Sequence, residues 1–480
     1  MQHPFDSYEF ARRVSRRSFL QQSACGLGGI AFGALAADAN AAPAGAADRG
    51  AGTPAPMHFP ARARRIIHLC MAGGPSAFET LDHKPLLREH HGKPFPASLT
   101  QGQQLAQLQG ATLIARGPAF PFRRFGRSGQ EICDQFPHIG GVADQICIIR
   151  SMVTEQINHD TAHAFMNSGS ILKSRPSMGS WLLYGLGAET ANLPGFVVLV
   201  SQGKGGAQPV SARQWSSGFL PGRFQGVQFQ AKGDAVHYVG SPEGVCQSVQ
   251  RLVVEEVQRL NGLLAAERVD PEIQTRIAQY ELAFRMQSSV PELTDLAQEP
   301  QRVLDLYGVK EAGEGTFAAN CLLARRMAER GVRFIQLYHR GWDHHGEIDK
   351  AIPIAAQETD RASAALLLDL QQRGMLDDTL ILWGGEFGRT PMGQGSGRDH
   401  HINSFSMWLA GGGIRGGVTY GATDDLGYRS VENVVTVHDL HATMLRLCGM
   451  DHERFSVKFQ GLDARLTGVE PARVVSAVLA

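Results

Sequence analysis

The 480-residue chain has no excess of charge of either sign: 46 Lys and Arg balance 46 Asp and Glu. This removes the global signature of a nucleic-acid binder, which needs a basic face to neutralise phosphates. No nucleic-acid partner is expected. No apolar run reaches the roughly 20 residues that a helix needs to cross a bilayer, so no stable membrane span is expected either. Cys is sparse, seven in all, and no two form a CxxC pair. Cys25 lies near the N-terminus, and Cys70, Cys133, Cys147, Cys246, Cys321 and Cys448 are scattered, mostly in apolar surroundings. Buried thiols fit that pattern better than disulfides or a thiolate metal cluster. No internal repeat is present. Hydrophobic residues at 43 % and charged residues at 19 % exclude a disordered or collagen-like chain.

Glycine is abundant, 55 residues, against a usual share of roughly 7 %. Extra glycine points to tight turns and to loops where backbone approaches a ligand closely. The N-terminus reads as an export signal over residues 1–41. Ser15-Arg16-Arg17-Ser18-Phe19-Leu20 is a twin-arginine motif, Ala24 to Ala37 is mildly apolar, and Ala39-Asn40-Ala41 is a small-x-small cleavage site. The expected location is the periplasm or an equivalent exported compartment, with the twin-arginine machinery as a partner. Residues 42–60 read as a flexible Ala/Gly/Pro-rich leader, and 61–480 as one large domain.

Ile66 to Met71 is an apolar run that stops at Gly73-Gly74-Pro75, a buried first strand with a Gly-rich turn at its end. Ile146 to Arg150 and Phe196 to Val200 are further strands, with a helix over 161–172. The 201–330 stretch reads as an insertion. It has an irregular Gly/Ser/Gln-rich part and then a helical hairpin marked by Val253, Val257, Leu260 and Leu264 and by Ile273, Ile277, Tyr280 and Phe284. Asp270-Pro271 supplies a cap and a first-turn proline. An αβαβ rhythm follows. Helices over 317–329 and 355–373 end at Gly331 and Gly374, and strands run over 332–338 and 379–383. Ser406 to Ala410 is another strand and His438 to Leu447 a late helix. The expected fold class is α/β, a mainly parallel central sheet sandwiched by helices.

In such sheets ligands bind beyond the carboxyl ends of the strands, and the polar clusters fall there. They are Asp343-His344-His345 after one strand, Glu386 to Arg389 after the next, then Arg398-Asp399-His400-His401, and His159-Asp160-Thr161 with His163 ahead of a helix. Imidazole with carboxylate suits Zn, Mn or Fe, and carboxylate with water suits Mg, Mn or Ca. Three such clusters in loops of one sheet edge can converge on one divalent metal. Arg389 and Arg398 are cationic forks suited to sulfate, phosphate or carboxylate. They can equally pair with Glu386 and Asp399. His438 and His441 share a helix face and read as cap or core residues.

Met71 to Ser76, Leu81 to Pro85, Asn158 to His163, Trp342 to His345, Gly384 to Pro391, Gly397 to His401, and Ser406 to Gly413 with Tyr420 to Asp424 together resemble the DUF1501 family. The resemblance runs from about Arg64 to Thr467. That family is similar in fold to the alkaline phosphatase superfamily, with its sulfatases, phosphatases and phosphomutases. The resemblance implies one or two divalent metals (Zn, Mn, Ca or Mg) and a nucleophile at a helix N-terminus. It implies a metal site drawn from Asp343, His344, His345, Glu386, Asp399, His400 and His401. The anionic ester, of the kind a sulfated glycan carries, would be bound by Arg389 and Arg398. His159, Asp160 or Thr161 would act as nucleophile or base, assisted by His163. Three departures stand out. Gly73-Gly74 occupies the place of a sulfatase carboxylate pair, which Glu79 or Asp82 would have to supply. No Cys stands at the nucleophile position, so formylglycine chemistry is unsupported. An Asp-His pair has become Glu386-Phe387. The expected function is an exported metal-dependent ester hydrolase, or else a catalytically degenerate relative that binds a sulfated glycan or a partner protein.

Overall fold

The computed structural model describes residues 57–172, 174–205, 208–230, 235–236, 247–267, 271–311 and 314–480. The twin-arginine signal, the leader up to residue 56, Cys246 and Asp270 lie outside the described residues.

The apolar runs read from the sequence form strands of one nine-stranded sheet. In chain order these are β1 (Arg65–Ala72), β2 (Ile146–Val153), β3 (Phe196–Gln202), β4 (Val227–Phe229), β5 (Phe334–Arg340) and β6 (Thr379–Gly384). A hairpin of β7 (Gly388–Gln394) and β8 (Gly397–His401) follows outside that sheet, which then continues with β9 (Phe405–Ala410), β10 (Val418–Tyr420) and β11 (Val435–Thr436). The strand order is β10-β2-β9-β6-β1-β5-β3-β4, with β11 also on β2. Within this sheet all pairings are parallel except those of β9, which runs against β6 and β2. The mostly parallel sheet expected from the αβ rhythm is therefore present.

Central β1 is buried from Ile66 to Ala72 because it is paired on both edges and covered on both faces. Its side chains alternate between two cores. Ile67, Leu69 and Met71 join Leu199, Ile335, Leu337, Ile381 and Trp383 under helices α5 (Phe317–Glu329) and α6 (Ile348–Gln372). Ile66, Cys70 and Ala72 join Val198, Tyr338 and Leu382 under α1 (His159–Ser168), α2 (Met178–Leu186) and α7 (Val437–Leu447). The result is a helix–sheet–helix sandwich.

Two long helices, α3 (Gln247–Glu267) and α4 (Pro271–Thr294), pack on each other as a hairpin. The 201–330 stretch, read as an insertion, also gives β4 to the sheet edge and α5 to one helical layer. Gly331 and Gly374 follow α5 and α6 with φ of +80° and +67°, the left-handed conformation that closes a helix at little cost only for glycine. The five described cysteines, Cys70, Cys133, Cys147, Cys321 and Cys448, are free and buried. No helix among the described residues is long and apolar enough to cross a membrane.

Candidate metal centre

β1, β2, β5 and β6 all point one way, so the segments after them gather at one rim of the sheet. β1 ends into Gly73-Gly74, β5 into Asp343 and His345, and β6 into Glu386. The connection after β2 leads to His159 at the start of α1. The β7–β8 hairpin carries Arg389 and His400 across from one another. The sequence reading placed the clusters around 388–401 in loops; the structure makes them antiparallel strands. Their register shifts between Arg398 and His400, and such an irregularity re-aims a side chain.

His159, Asp343, His345 and His400 converge. Each offers a ligand-type atom, and these atoms all lie within 4.8 Å of one another. Asp343 is the hub. Its Oδ2 is 3.2 Å from Nε2 of His159, and its Oδ1 is 2.9 Å from Nε2 of His345 and 3.3 Å from Nε2 of His400. The two latter Nε2 atoms are 3.0 Å apart. All three rings are anchored from behind. His159 Nδ1 donates to Glu386 Oε1 at 2.6 Å, His400 Nδ1 donates to the Ile157 carbonyl at 2.7 Å, and His345 Nδ1 donates to Oε1 of Gln394. With Nδ1 engaged from behind, Nε2 is the inward-facing atom of each ring, the atom through which imidazole would ligate a metal in place of a proton. The donor chemistry, three imidazoles and one carboxylate, suits Zn, Mn or Fe.

Charge around the hub is arranged to keep Asp343 ionised. Burial pushes its carboxyl up, but hydrogen bonds from the three imidazoles and the Arg389 cation hold it far below the usual range. Arg389 is fully buried. It donates at 2.5 Å to Asp343 Oδ1 and at 3.0 Å to the Gly74 carbonyl, and also to the carbonyls of Gly73 and Arg398. Burial works against a charged His159, yet its bonds to Asp343 and Glu386 raise it to about 9. Burial likewise pushes Glu386 up, and the imidazoles of His163 and His159 bring it below its ordinary value. Burial pushes His163 down. Glu386 is also fixed by the Gly73 N–H, at 3.0 and 3.2 Å from its two oxygens.

Other residues singled out in the sequence lie elsewhere. Arg398 forms a fully buried pair with Glu79, with contacts of 3.0 and 2.7 Å, and also donates to the carbonyls of Arg116, Gly117 and Thr390. Asp399 accepts from the backbone of Gln107, Leu108 and His400. Asp82 accepts from Thr423 and faces Lys84 and Arg150. His401 points the other way along β8 and donates to the Tyr428 carbonyl at 2.6 Å; burial lowers it to about 4. His344 is buried against Trp342, and burial followed by the Arg389 charge lowers it to about 4. Asp160 pairs with Arg213 at 2.8 Å, and the Thr161 hydroxyl donates to the Asn158 carbonyl at 3.0 Å.

A second group lies beneath the first: Cys70, His163 and Glu386, again with ligand-type atoms within 4.8 Å of one another. Sequence reasoning did not place Cys70 near the site. One signal was available, since His159 and His163 are four apart on a helix and so share a face.

The arrangement is that of an α/β/α protein with a cluster of three imidazoles and a carboxylate, which could hold a metal ion, at the carboxyl rim of its sheet. The chain belongs to the DUF1501 family, described as a protein of unknown function, which matches residues 63–479. No curated protein matches it. Among solved structures it is similar to the PsFucS1 sulfatase from Pseudoalteromonas sp., at 12 % identity and TM-score 0.37, covering 87 % of this chain and 72 % of that one. It is also similar to the phosphonate monoester hydrolase SpPMH from Silicibacter pomeroyi, at 11 % identity and TM-score 0.32, covering 72 % and 71 %. A third is an alkaline phosphatase superfamily protein from Vibrio parahaemolyticus, at 10 % identity and TM-score 0.34, covering 93 % and 77 %.

Proposed function

We propose that this chain is an exported metal-dependent hydrolase of sulfate or phosphate esters. The observation that carries the reading is the convergence of three inward-facing Nε2 atoms on Asp343. Asp343, His159, His345 and His400 would hold a divalent ion, which supplies charge and polarisation at a sulfuryl or phosphoryl oxygen. Glu386 holds the proton on His159 Nδ1 and so fixes that ring. Arg389 offsets the Asp343 charge from behind. Asp343 and His345 are about one-quarter exposed, so the anionic group would approach over them. The α1 N-terminus opens at His159 and favours an anion on the same side. Export rests on the twin-arginine motif at Ser15 to Leu20 and the cleavage site at Ala39 to Ala41, with the twin-arginine machinery as partner.

One observation favours a degenerate relative that binds a sulfated glycan or a partner protein without turnover. Both candidate anion-binding forks, Arg389 and Arg398, have their N–H groups taken by protein acceptors. The two readings separate in one experiment. Metal content is measured on the purified chain, and aryl sulfates, phosphates and phosphonates are assayed with and without chelator, for wild type and His345→Ala. Turnover that requires metal and falls at least a hundredfold in the variant is expected. A chain without metal or product would end the hydrolase reading, and glycan retention without product would leave the binder.

A further inference from the structure

Beneath the rim cluster, Cys70 on β1, His163 on α1 and Glu386 after β6 meet in the interior, each exposed by 1 % or less. Neither nitrogen of the His163 ring makes a hydrogen bond, although the ring is fully buried. Its Nε2 faces Glu386 Oε1 at 3.4 Å. A buried polar group without a partner costs about 1–3 kcal/mol, so its persistence calls for a ligand. Cys70 has no disulfide partner. Glu386 gives one oxygen to His159 and both to the Gly73 N–H, and a carboxylate has about four acceptor positions in all. We infer that Cys70, His163 and Glu386 form a second metal site, taking a thiophilic divalent cation of the zinc class.

Sulfur, nitrogen and oxygen donors together select zinc-like ions over Mg or Ca. Tetrahedral bonds of about 2.0–2.3 Å set ligand atoms about 3.3–3.7 Å apart. The 3.4 Å separation of His163 and Glu386 already meets that, and the whole group has its donors within 4.8 Å. The fourth position falls to a water or to the second Glu386 oxygen. An ion here ties α1 to β1 and to the segment after β6, directly below His159. Glu386 then links both centres, since its Oε1 is also the anchor of His159 Nδ1. The inference goes beyond the hydrolase reading and does not depend on it.

Cobalt(II) tests it on the full chain. The protein is stripped of metal and titrated with Co(II) while thiolate-to-cobalt charge-transfer absorption is followed. Two equivalents are expected, one of them carrying the thiolate band. Cys70→Ser removes that band and one equivalent, and His345→Ala removes the other equivalent and keeps the band. A single equivalent without a thiolate band in wild type overturns the inference. So does a band that survives Cys70→Ser, which would place the thiolate at another cysteine. Should Cys70→Ser fail to fold by circular dichroism, His163→Gln decides in its place: it is expected to weaken the equivalent that carries the thiolate band and keep the other, and a band unchanged in His163→Gln overturns the inference.

Discussion

His400 and His401 are sequence neighbours with opposite surroundings. His400 turns its Nε2 to Asp343, whereas His401 donates its Nε2 proton to the Tyr428 carbonyl on the far side of the strand. Period-two alternation makes this division, and it is invisible as long as the segment is read as a loop. Buried histidines of the second kind carry a pH signature. Burial lowers His68 and His441 from 6.5 to about 3, with neighbouring histidines adding to the effect. His441 donates from Nε2 to the Met166 carbonyl at 2.8 Å and has no partner at Nδ1. A charged ring would therefore bury an unanswered proton. The folded pKa lies below the unfolded one, so the stability contribution is complete above pH 6.5 and is lost as pH falls toward 3. Each such ring costs about 1.4 kcal/mol per pH unit in that window. Denaturant melts of wild type at pH 7.5, 6 and 5 should show falling stability. His441→Gln keeps a donor and cannot charge, so its slope should be smaller by about that amount. Identical slopes would show that the ring is not neutral in the fold. Asp343, His345, His400 and His159 stood out as candidates because Asp and His cluster there, after a strand for Asp343 and His345 and ahead of a helix for His159. The buried pairing of Arg398 with Glu79 was not legible, because the two lie over 300 positions apart and nothing local pairs them.

At the scale of elements, the rim exists because β1 can end next to β5 without side chains between them. Gly73 has φ of +125°, and a Cβ there would stand 2.3 Å from the Asp343 nitrogen and 2.5 Å from the Trp342 carbonyl carbon. Both obstacles are backbone and cannot rotate away. The same residue sends its N–H to Glu386. Gly73→Ala should therefore destabilise by about 3 kcal/mol or more, combining steric overlap with backbone strain, and should lower metal affinity because Asp343 and Glu386 move apart. Gly374→Ala is the control. Its φ of +67° is also left-handed, yet a Cβ would meet nothing within 4 Å, so only about 1 kcal/mol is expected. Chemical denaturation and metal titration of the two variants check this, and equal losses would mean that strain alone matters at Gly73. The Gly-rich turn after β1 was readable from sequence. Its reason, close passage of a second strand's exit, was not, because 269 positions separate Gly73 from Trp342 in the chain. The 388–401 stretch escaped for another cause. Its glycines and charges mimic loop composition, and only pairing between Gly388–Gln394 and Gly397–His401 reveals a hairpin.

Over the whole molecule, the rim cluster draws on the start of α1, the exit of β5 and the β7–β8 hairpin, with Glu386 from the exit of β6 behind them. An ion held by the four residues would cross-link segments that the unfolded chain keeps far apart, and so it would bind the folded state and not the unfolded one. Linkage then sets the gain: about 2.7 kcal/mol when free metal stands at a hundred times its dissociation constant. Chelation should lower the melting temperature of wild type by several degrees. The two-state assumption is not needed for this comparison, since a shift on chelation is read on the same chain. His345→Ala, which removes a rim ligand without entering the core, should start from a lower melting temperature and respond to chelator by a smaller shift. It should not lose the response altogether if Cys70, His163 and Glu386 hold a second ion. A wild-type melt indifferent to chelator, after metal analysis has established that chelation removed the ion, would mean that the convergence on Asp343 is an internal ion-pair network. In that case the imidazoles, with Arg389, are simply the counter-charges that allow Asp343 to remain ionised at the sheet rim.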